Sequence, residues 1–220
     1  ISRYAPRSKV QRLPIEGVSQ ASANQRSGRC GRLGPGICIR LFSESDYQSR
    51  PRFTTPEIRR SDLASVLLQS KTLRLGPLEE FPLLDPPSTE ALRDANRTLR
   101  ELNAIDERSE LTAIGKQLGR LPCEPRVGRM LLEAHQRDCL AEVVIIAAAI
   151  EGQDVRQRPA GQRPQADEAH AEFADPHSDF LSYLRIWDFY EHLRSDLGRS
   201  RLQRALNQKF LSLQGCREWS

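Results

Sequence analysis

Gln25-Arg26-Ser27-Gly28-Arg29-Cys30-Gly31-Arg32 is the stretch on which the reading of this 220-residue chain turns. Arg29 and Arg32 stand three apart, so on a helix they share a face. Glycines at 28 and 31 remove side chains from the neighbouring positions, which lets the backbone approach a ligand closely while two guanidinium forks project one way. Phosphoryl transfer uses such a group. Arginines that neutralise charge developing on a γ-phosphate are worth roughly 10³ to 10⁵ in rate in the best cases. Gln25 is placed to hold a water or a phosphate oxygen, and an arginine/glycine RNA-binding tract is the simpler alternative.

Outward from this stretch the pattern is that of an α/β domain. On its amino-terminal side, Ile1 to Tyr4 and Lys9 to Ile15 flank the turn residues Ala5-Pro6-Arg7-Ser8, which predicts a β-hairpin with a basic tip. On its carboxy-terminal side, Gly36-Ile37-Cys38-Ile39-Arg40-Leu41-Phe42 predicts a strand. Ile1-Ser2-Arg3-Tyr4 reads as the middle of a strand with no initiating methionine, so the amino terminus is expected to be a cut.

Residues 54 to 121 predict a small helical domain. Thr55, Pro56 and Glu57 have helix-start chemistry, and Ile58, Leu63, Val66, Leu67 and Ser70 extend the helix. Phe81-Pro82-Leu83-Leu84-Asp85-Pro86-Pro87 must be extended. Ser88 caps a second helix whose Leu92, Ala95, Leu99 and Leu102 step by three, four and three along one stripe. A short hairpin around Asp106-Glu107-Arg108-Ser109 and a third helix capped by Thr112 complete a winged helix. Residues 122 to 220 read as mostly helical. Pro125 starts one helix, Leu140 to Ile150 forms a buried one, and a proline- and glutamine-rich loop covers about 152 to 166. Ser178 caps an aromatic-rich helix, and a last helix lies near 199 to 213.

Composition bounds the partners. Hydrophobic residues make up 38% and charged residues 28% of the chain, with a net charge of +4, as in a folded, mildly basic domain. Only Lys9, Lys71, Lys116 and Lys209 are lysines, which leaves 29 of the 33 cations as arginine. That bias suits bidentate phosphate contacts, although a GC-rich genome produces the same excess. Five scattered cysteines without a CxxC pair suggest neither zinc nor a disulfide framework, and a reducing, cytoplasmic setting fits them. The apolar run at 140 to 150 is too short to cross a bilayer.

Q-R-x-G-R-x-G-R resembles motif VI of the DEAH/RHA type of superfamily 2 RNA helicases, bacterial HrpA type. The resemblance extends over essentially the whole chain. It includes Pro14-Ile15-Glu16-Gly17-Val18-Ser19-Gln20-Ala21-Ser22-Ala23, the strand after the motif, Pro56-Glu57-Ile58-Arg59-Arg60, Leu111-Thr112-Ala113-Ile114-Gly115 and the Ser178-Asp179-Phe180-Leu181 helix. It implies an α/β carboxy-terminal part of a second RecA-like lobe at 1–53, a winged-helix domain at 54–121, and a helical ratchet domain at 122–220 that reads as incomplete near Gly215 to Ser220. It also implies ATP with Mg2+ as cofactor, Gln25, Gly28, Arg29 and Arg32 at the triphosphate with both arginines as fingers, and RNA as partner. The hairpin would lie against RNA where the duplex opens, with Arg7, Lys9 and Arg12 contacting its backbone.

The ATP site of that family also needs a first RecA-like lobe with a P-loop and a magnesium-binding acidic motif, and no P-loop occurs in these residues. The chain alone is therefore expected not to hydrolyse ATP. Asp167-Glu168-Ala169-His170 spells DEAH but follows Arg163-Pro164-Gln165-Ala166 rather than a buried apolar strand, so it is read as coincidence. His135, His177 and His192 lack metal-ligand spacing. Tyr183, Trp187, Phe189 and Tyr190 read as core rather than base-stacking residues. Arg156, Arg158 and Arg163 are solvated loop residues or phosphate contacts. A non-catalytic winged-helix nucleic-acid-binding module is the alternative function, and paired arginines between glycines argue against it.

Overall fold

The computed structural model describes the backbone of residues 3–5 and 10–12 and the whole of residues 15–220. The chain divides into two compact units, Ile1–Gly119 and Arg120–Ser220.

The first unit opens with a two-stranded antiparallel hairpin, β1 (Arg3–Ala5) and β2 (Val10–Arg12), with Arg3 opposite Arg12 and Ala5 opposite Val10. The hairpin expected from the sequence is therefore formed. Helix α1 (Gln20–Ser27) follows, capped by Ser19, and α2 (Glu44–Ser49) is capped by Ser43, with Glu44 and Asp46 in its first turn. The strand expected at 36–42 is not there. The segment is irregular, and Ile37, Ile39 and Leu41 are 88%, 80% and 96% exposed. A strand exists only where a neighbour takes its N–H and C=O groups. Among the described residues the one sheet is the β1–β2 pair, which leaves this part of the chain without the sheet of an α/β domain.

Three helices and a wing form the rest of this unit: α3 (Ala64–Thr72), α4 (Thr89–Glu101) and α5 (Ala113–Leu118), with an Ile105–Leu111 bridge closing the turn between α4 and α5. Ser88 and Thr112 cap α4 and α5 as read from the sequence, accepting from the N–H groups of Ala91 and Gly115 at 3.1 and 3.0 Å. Leu92, Ala95 and Leu99 are buried with Leu63, Leu67, Leu68 and Leu118. The first helix starts later than Thr55 and Pro56 suggest. Pro56 leads only into a single 3-10 turn, Glu57–Arg59, which ends at Arg60. The Asp62 carboxylate then accepts the Ala64 N–H at 2.9 Å, a local side-chain-to-backbone bond at the first residue of α3. At the other end Gly115 packs so closely that a Cβ there would lie 2.0 Å from the Ala104 carbonyl oxygen.

The second unit is helical: α6 (Pro125–Gln136), α7 (Leu140–Glu151), α8 (Arg163–Ala171), α9 (Asp179–Asp196), α10 (Arg199–Gln208) and α11 (Leu213–Trp219). Pro125 occupies the first turn of α6, and Ser178 caps α9. Its core gathers Val155, Phe173, Ile186, Tyr190, Leu202, Leu206, Leu211, Leu213, Cys216 and Trp219, with Tyr183, Trp187 and Phe189 packed against them. Tyr183, Trp187, Phe189 and Tyr190 of α9 are thus core residues, whereas Phe180 is exposed. Trp187 meets Trp219 edge to face at 5.3 Å, and the Trp219 indole N–H donates to the Ile145 carbonyl at 2.8 Å.

Two expectations are corrected here. Helix α7 is not buried throughout: Ile146 and Ala147 are, whereas Val144 is 47% exposed, because α6, α9 and α11 do not surround it. The helix expected near 199 to 213 ends at Gln208, and Phe210 just beyond it takes a left-handed φ of 52°. After it Leu213–Trp219 forms α11, which buries Leu213, Cys216 and Trp219. Within the loop, Arg156 pairs with Leu211, and Gln157 and Ser212 donate to the carbonyls of Phe210 and Val155, each at 2.8 Å.

Candidate functional site

The arginine–glycine stretch lies at the end of α1. Helix α1 is braced along its length. The first two N–H groups, of Gln20 and Ala21, donate to the carbonyls of Pro51 and Arg52, both at 3.0 Å. In the middle, the Asn24 side-chain oxygen accepts from Arg40 at 2.8 Å and from the Tyr47 hydroxyl at 3.0 Å. Gln25 follows on the helix, exposed.

The helix ends at Ser27, before either finger candidate. The N–H groups of Gly28, Arg29 and Cys30 close its last turn by donating to Asn24, Arg26 and Ser27. Gly31 then reverses the chain at a φ of +77°. Arg29 and Arg32 therefore sit in a turn and a bend, not on one helix face as their spacing suggested. The loop folds back on itself. A Cβ at Gly36 would lie 2.5 Å from the Gly31 nitrogen and 2.9 Å from the Cys30 Cβ, so glycine is required at 36 by close approach and at 31 by its positive φ. Gly28 is different: its φ is −66°, and a Cβ would meet nothing nearer than 3.5 Å.

The arginines of this region divide into two kinds. Arg50 is committed: it donates to both oxygens of Asp46 and to the Val18 carbonyl, and lies 4.0 Å from the Phe42 ring centroid. Its guanidinium holds the Asp46 carboxyl below the usual range. Arg40 is held by Asn24 and the Tyr47 ring. Arg26, Arg29 and Arg32 are exposed and have no ion-pair or hydrogen-bond partner among the described residues for their guanidinium groups. From Gln20 to Ser43 the chain carries four arginines and no carboxylate. These free forks and unopposed charge fit a phosphate-bearing ligand, and they offer no oxygen ligand set for a cation.

Of the hairpin residues expected to meet RNA, Arg7 and Lys9 lie outside the described residues. Arg12 is placed only as backbone, paired with Arg3. Two of the three loop arginines are spent on the fold: Arg156 binds Asp154 through Nε and a terminal nitrogen at 3.0 and 2.9 Å, and Arg158 binds Asp167 at 2.7 Å, whereas Arg163 is exposed in the first turn of α8. The letters Asp167 to His170 fall on α8, where Asp167 serves Arg158 and the buried His170 ring lies 3.2 Å from the Phe210 carbonyl. No cluster of three or more metal-ligating side chains occurs among the described residues.

A cavity of about 690 Å³ opens beside the wing in the first unit. Its charges are mixed: Lys71, Arg74 and Lys116 share it with Glu79 and Glu110, and the Lys71 ammonium is bound to the Ser109 carbonyl at 2.7 Å. Sequence reading missed this groove because its walls come from four separate segments.

A family described as helicase associated domain (HA2), winged-helix, matches residues 97–123, and one described as helicase associated domain (HA2), ratchet-like, matches residues 124–183. All of the chain aligns with "ATP-dependent RNA helicase HrpA" of Escherichia coli at 47% identity and with the "ATP-dependent RNA helicase HrpA homolog" of Haemophilus influenzae at 46%. Some 90% of it aligns with "Probable ATP-dependent RNA helicase DHX34" of Homo sapiens at 36%. In each case the chain spans 17% of the relative's length.

Proposed function

We propose, for a chain that belongs to the DEAH-box RNA helicases of the HrpA type, that it works as one segment of an ATP-dependent enzyme that moves along RNA and unwinds it. In this reading residues 1–53 are part of the second RecA-like lobe, 54–121 the winged-helix domain and 122–220 ratchet domain. The natural setting is cytoplasmic. No helix among the described residues is long and apolar enough to cross a membrane.

The observation that carries this reading is the set of guanidinium groups, without partners among the described residues, at the end of a braced helix. Bound ATP with Mg2+, held mainly by the first RecA-like lobe, supplies the phosphoryl group. Arg29 and Arg32 approach it from across the cleft and neutralise charge that grows on the γ-phosphate, Gln25 orients a water or phosphate oxygen, and Gly28 lets the backbone come close. Paired side chains would first have to break a bond, which is why free arginines suit the role. RNA is the partner, held by the hairpin residues Arg7, Lys9 and Arg12 and by the domains that follow.

The test is Arg29→Ala and Arg32→Ala in the full-length helicase that carries this segment. RNA-stimulated ATP hydrolysis should fall by about 10³ or more, with RNA affinity largely retained. Hydrolysis near the unmodified level in both variants would remove the finger assignment.

A further inference from the structure

The amino-terminal end of α1 carries a second device that the chemistry above does not use. Three hydroxyl groups close a ring there. Ser19 donates to Ser22 at 3.1 Å, Ser22 and Thr54 are 3.1 Å apart, and Thr54 and Ser19 are 2.9 Å apart. Ser19 is buried, and it also accepts the Ser22 N–H at 3.2 Å. A hydroxyl has one donor and two acceptor positions, so Ser19 is fully satisfied only while Thr54 is present. Beside the ring, the Gln20 side-chain amide donates to the carbonyls of Gln48 and Arg50, at 3.2 and 2.9 Å, and the N–H groups of Gln20 and Ala21 bond to Pro51 and Arg52. The first turn of α1 is thus fastened to segment 48–54 through side chains and backbone together.

That segment is the connection into the three-helix domain. Thr54 stands two residues before Pro56 and the 3-10 turn, and α3 follows at Ala64. At its other end, α1 delivers directly to Arg29 and Arg32. A helix of eight residues is a rod about 12 Å long, and it cannot shift at one end without shifting at the other. We infer that Ser19, Ser22, Thr54 and Gln20 form a coupling joint, which passes displacement of the nucleotide-facing arginines to the chain entering the winged-helix domain. Thr54 and Gln20 are positioning residues that touch neither nucleotide nor RNA. This inference rests on the helicase reading.

The test uses the full-length helicase with Thr54→Val, which keeps the shape and removes the hydroxyl, and Thr54→Ser, which restores it. RNA-stimulated ATP hydrolysis and strand separation are measured on the same preparations. Hydrolysis by Thr54→Val should stay within about twofold of the unmodified enzyme while strand separation falls about tenfold, so that more ATP is spent per base pair opened. Thr54→Ser should recover separation. Gln20→Ala removes two bonds at the outer edge of the joint without burying an unsatisfied group, and should show the same split even if Thr54→Val folds poorly. Both activities falling in parallel in Gln20→Ala, or neither changing in either variant, would overturn the joint alone. An unmodified enzyme without RNA-dependent hydrolysis would overturn the helicase reading and the joint with it.

Discussion

Gly115→Ala separates packing from helix propensity, because the two predict opposite signs. Gly115 lies in α5, where alanine is favoured over glycine by about 1 kcal/mol in an exposed helix interior. The added methyl, however, would sit 2.0 Å from the Ala104 carbonyl oxygen, 2.9 Å from its carbon and 3.0 Å from a Leu111 methyl. The first two are backbone atoms and cannot rotate away. The Ala104 carbonyl also accepts from the Thr112 N–H at 3.1 Å, so moving it breaks the bond at the start of the same helix. Overpacking costs about 1 to 3 kcal/mol and the lost hydrogen bond about 1. Set against the propensity gain, the net loss is about 2 kcal/mol. Hydrogen exchange read on the amides of α3, α4 and α5 should show protection lower by roughly 30-fold. Unchanged or higher protection would mean that α5 does not press on the Ala104 carbonyl, and the packing described for the wing would be wrong.

Other outcomes follow from the same contacts. Burial pushes the Cys216 thiol up to about 11, above its ordinary 9.0. Its share of stability is therefore full below pH 9 and lost as pH rises through about 11, and at pH 8 a thiol reagent should label the exposed Cys30 and Cys38 while Cys216 stays unlabelled until the chain unfolds. Early labelling of Cys216 would contradict its place in the core. For Asp154, burial alone would raise the carboxyl pKa, but the side-chain and backbone hydrogen bonds from Arg156 outweigh it and hold the group low. Its stabilisation is present above the ordinary pKa of 3.8 and lost as pH falls through the depressed value, so the Arg156 amide resonance should titrate with a midpoint below 3.8. A midpoint at or above that value would contradict the pairing. The 220-residue chain should bind single-stranded RNA weakly, with log affinity falling by about 0.7 for each phosphate contacted per unit of log salt. Salt-independent binding of one sequence would favour a regulator instead.

What the sequence made legible was mostly local. Ser88, Thr112, Ser178 and Pro125 begin helices because a cap needs only its own next few residues, and the Leu92–Ala95–Leu99 stripe is buried because a single helix face carries it. The failures lie where the deciding atoms are remote or compete. Thr55, Pro56 and Glu57 have the chemistry of a helix start, yet α3 begins at Ala64, where Asp62 accepts the first N–H and the buried leucines follow. The alternation of Ile37, Ile39 and Leu41 is strand-like, but a strand needs a neighbour, which no local pattern supplies. Leu213, Cys216 and Trp219 form a short stripe in a segment whose polar residues hid it. At the candidate site the residue types were legible and their arrangement was not. A three-residue spacing suggested one helix face, whereas the helix ends at Ser27 and a left-handed Gly31 turns the chain between the two arginines.

The most direct test of the central claim is nucleotide affinity in the full-length helicase, measured with ADP alone and with ADP plus aluminium fluoride, which mimics the transferring phosphoryl group. A finger binds the transition state better than the ground state, so aluminium fluoride should tighten ADP binding strongly in the unmodified enzyme and hardly at all in Arg29→Ala or Arg32→Ala, with ADP affinity itself little changed. Equal tightening in the variants would show that these arginines do not face the reacting phosphate.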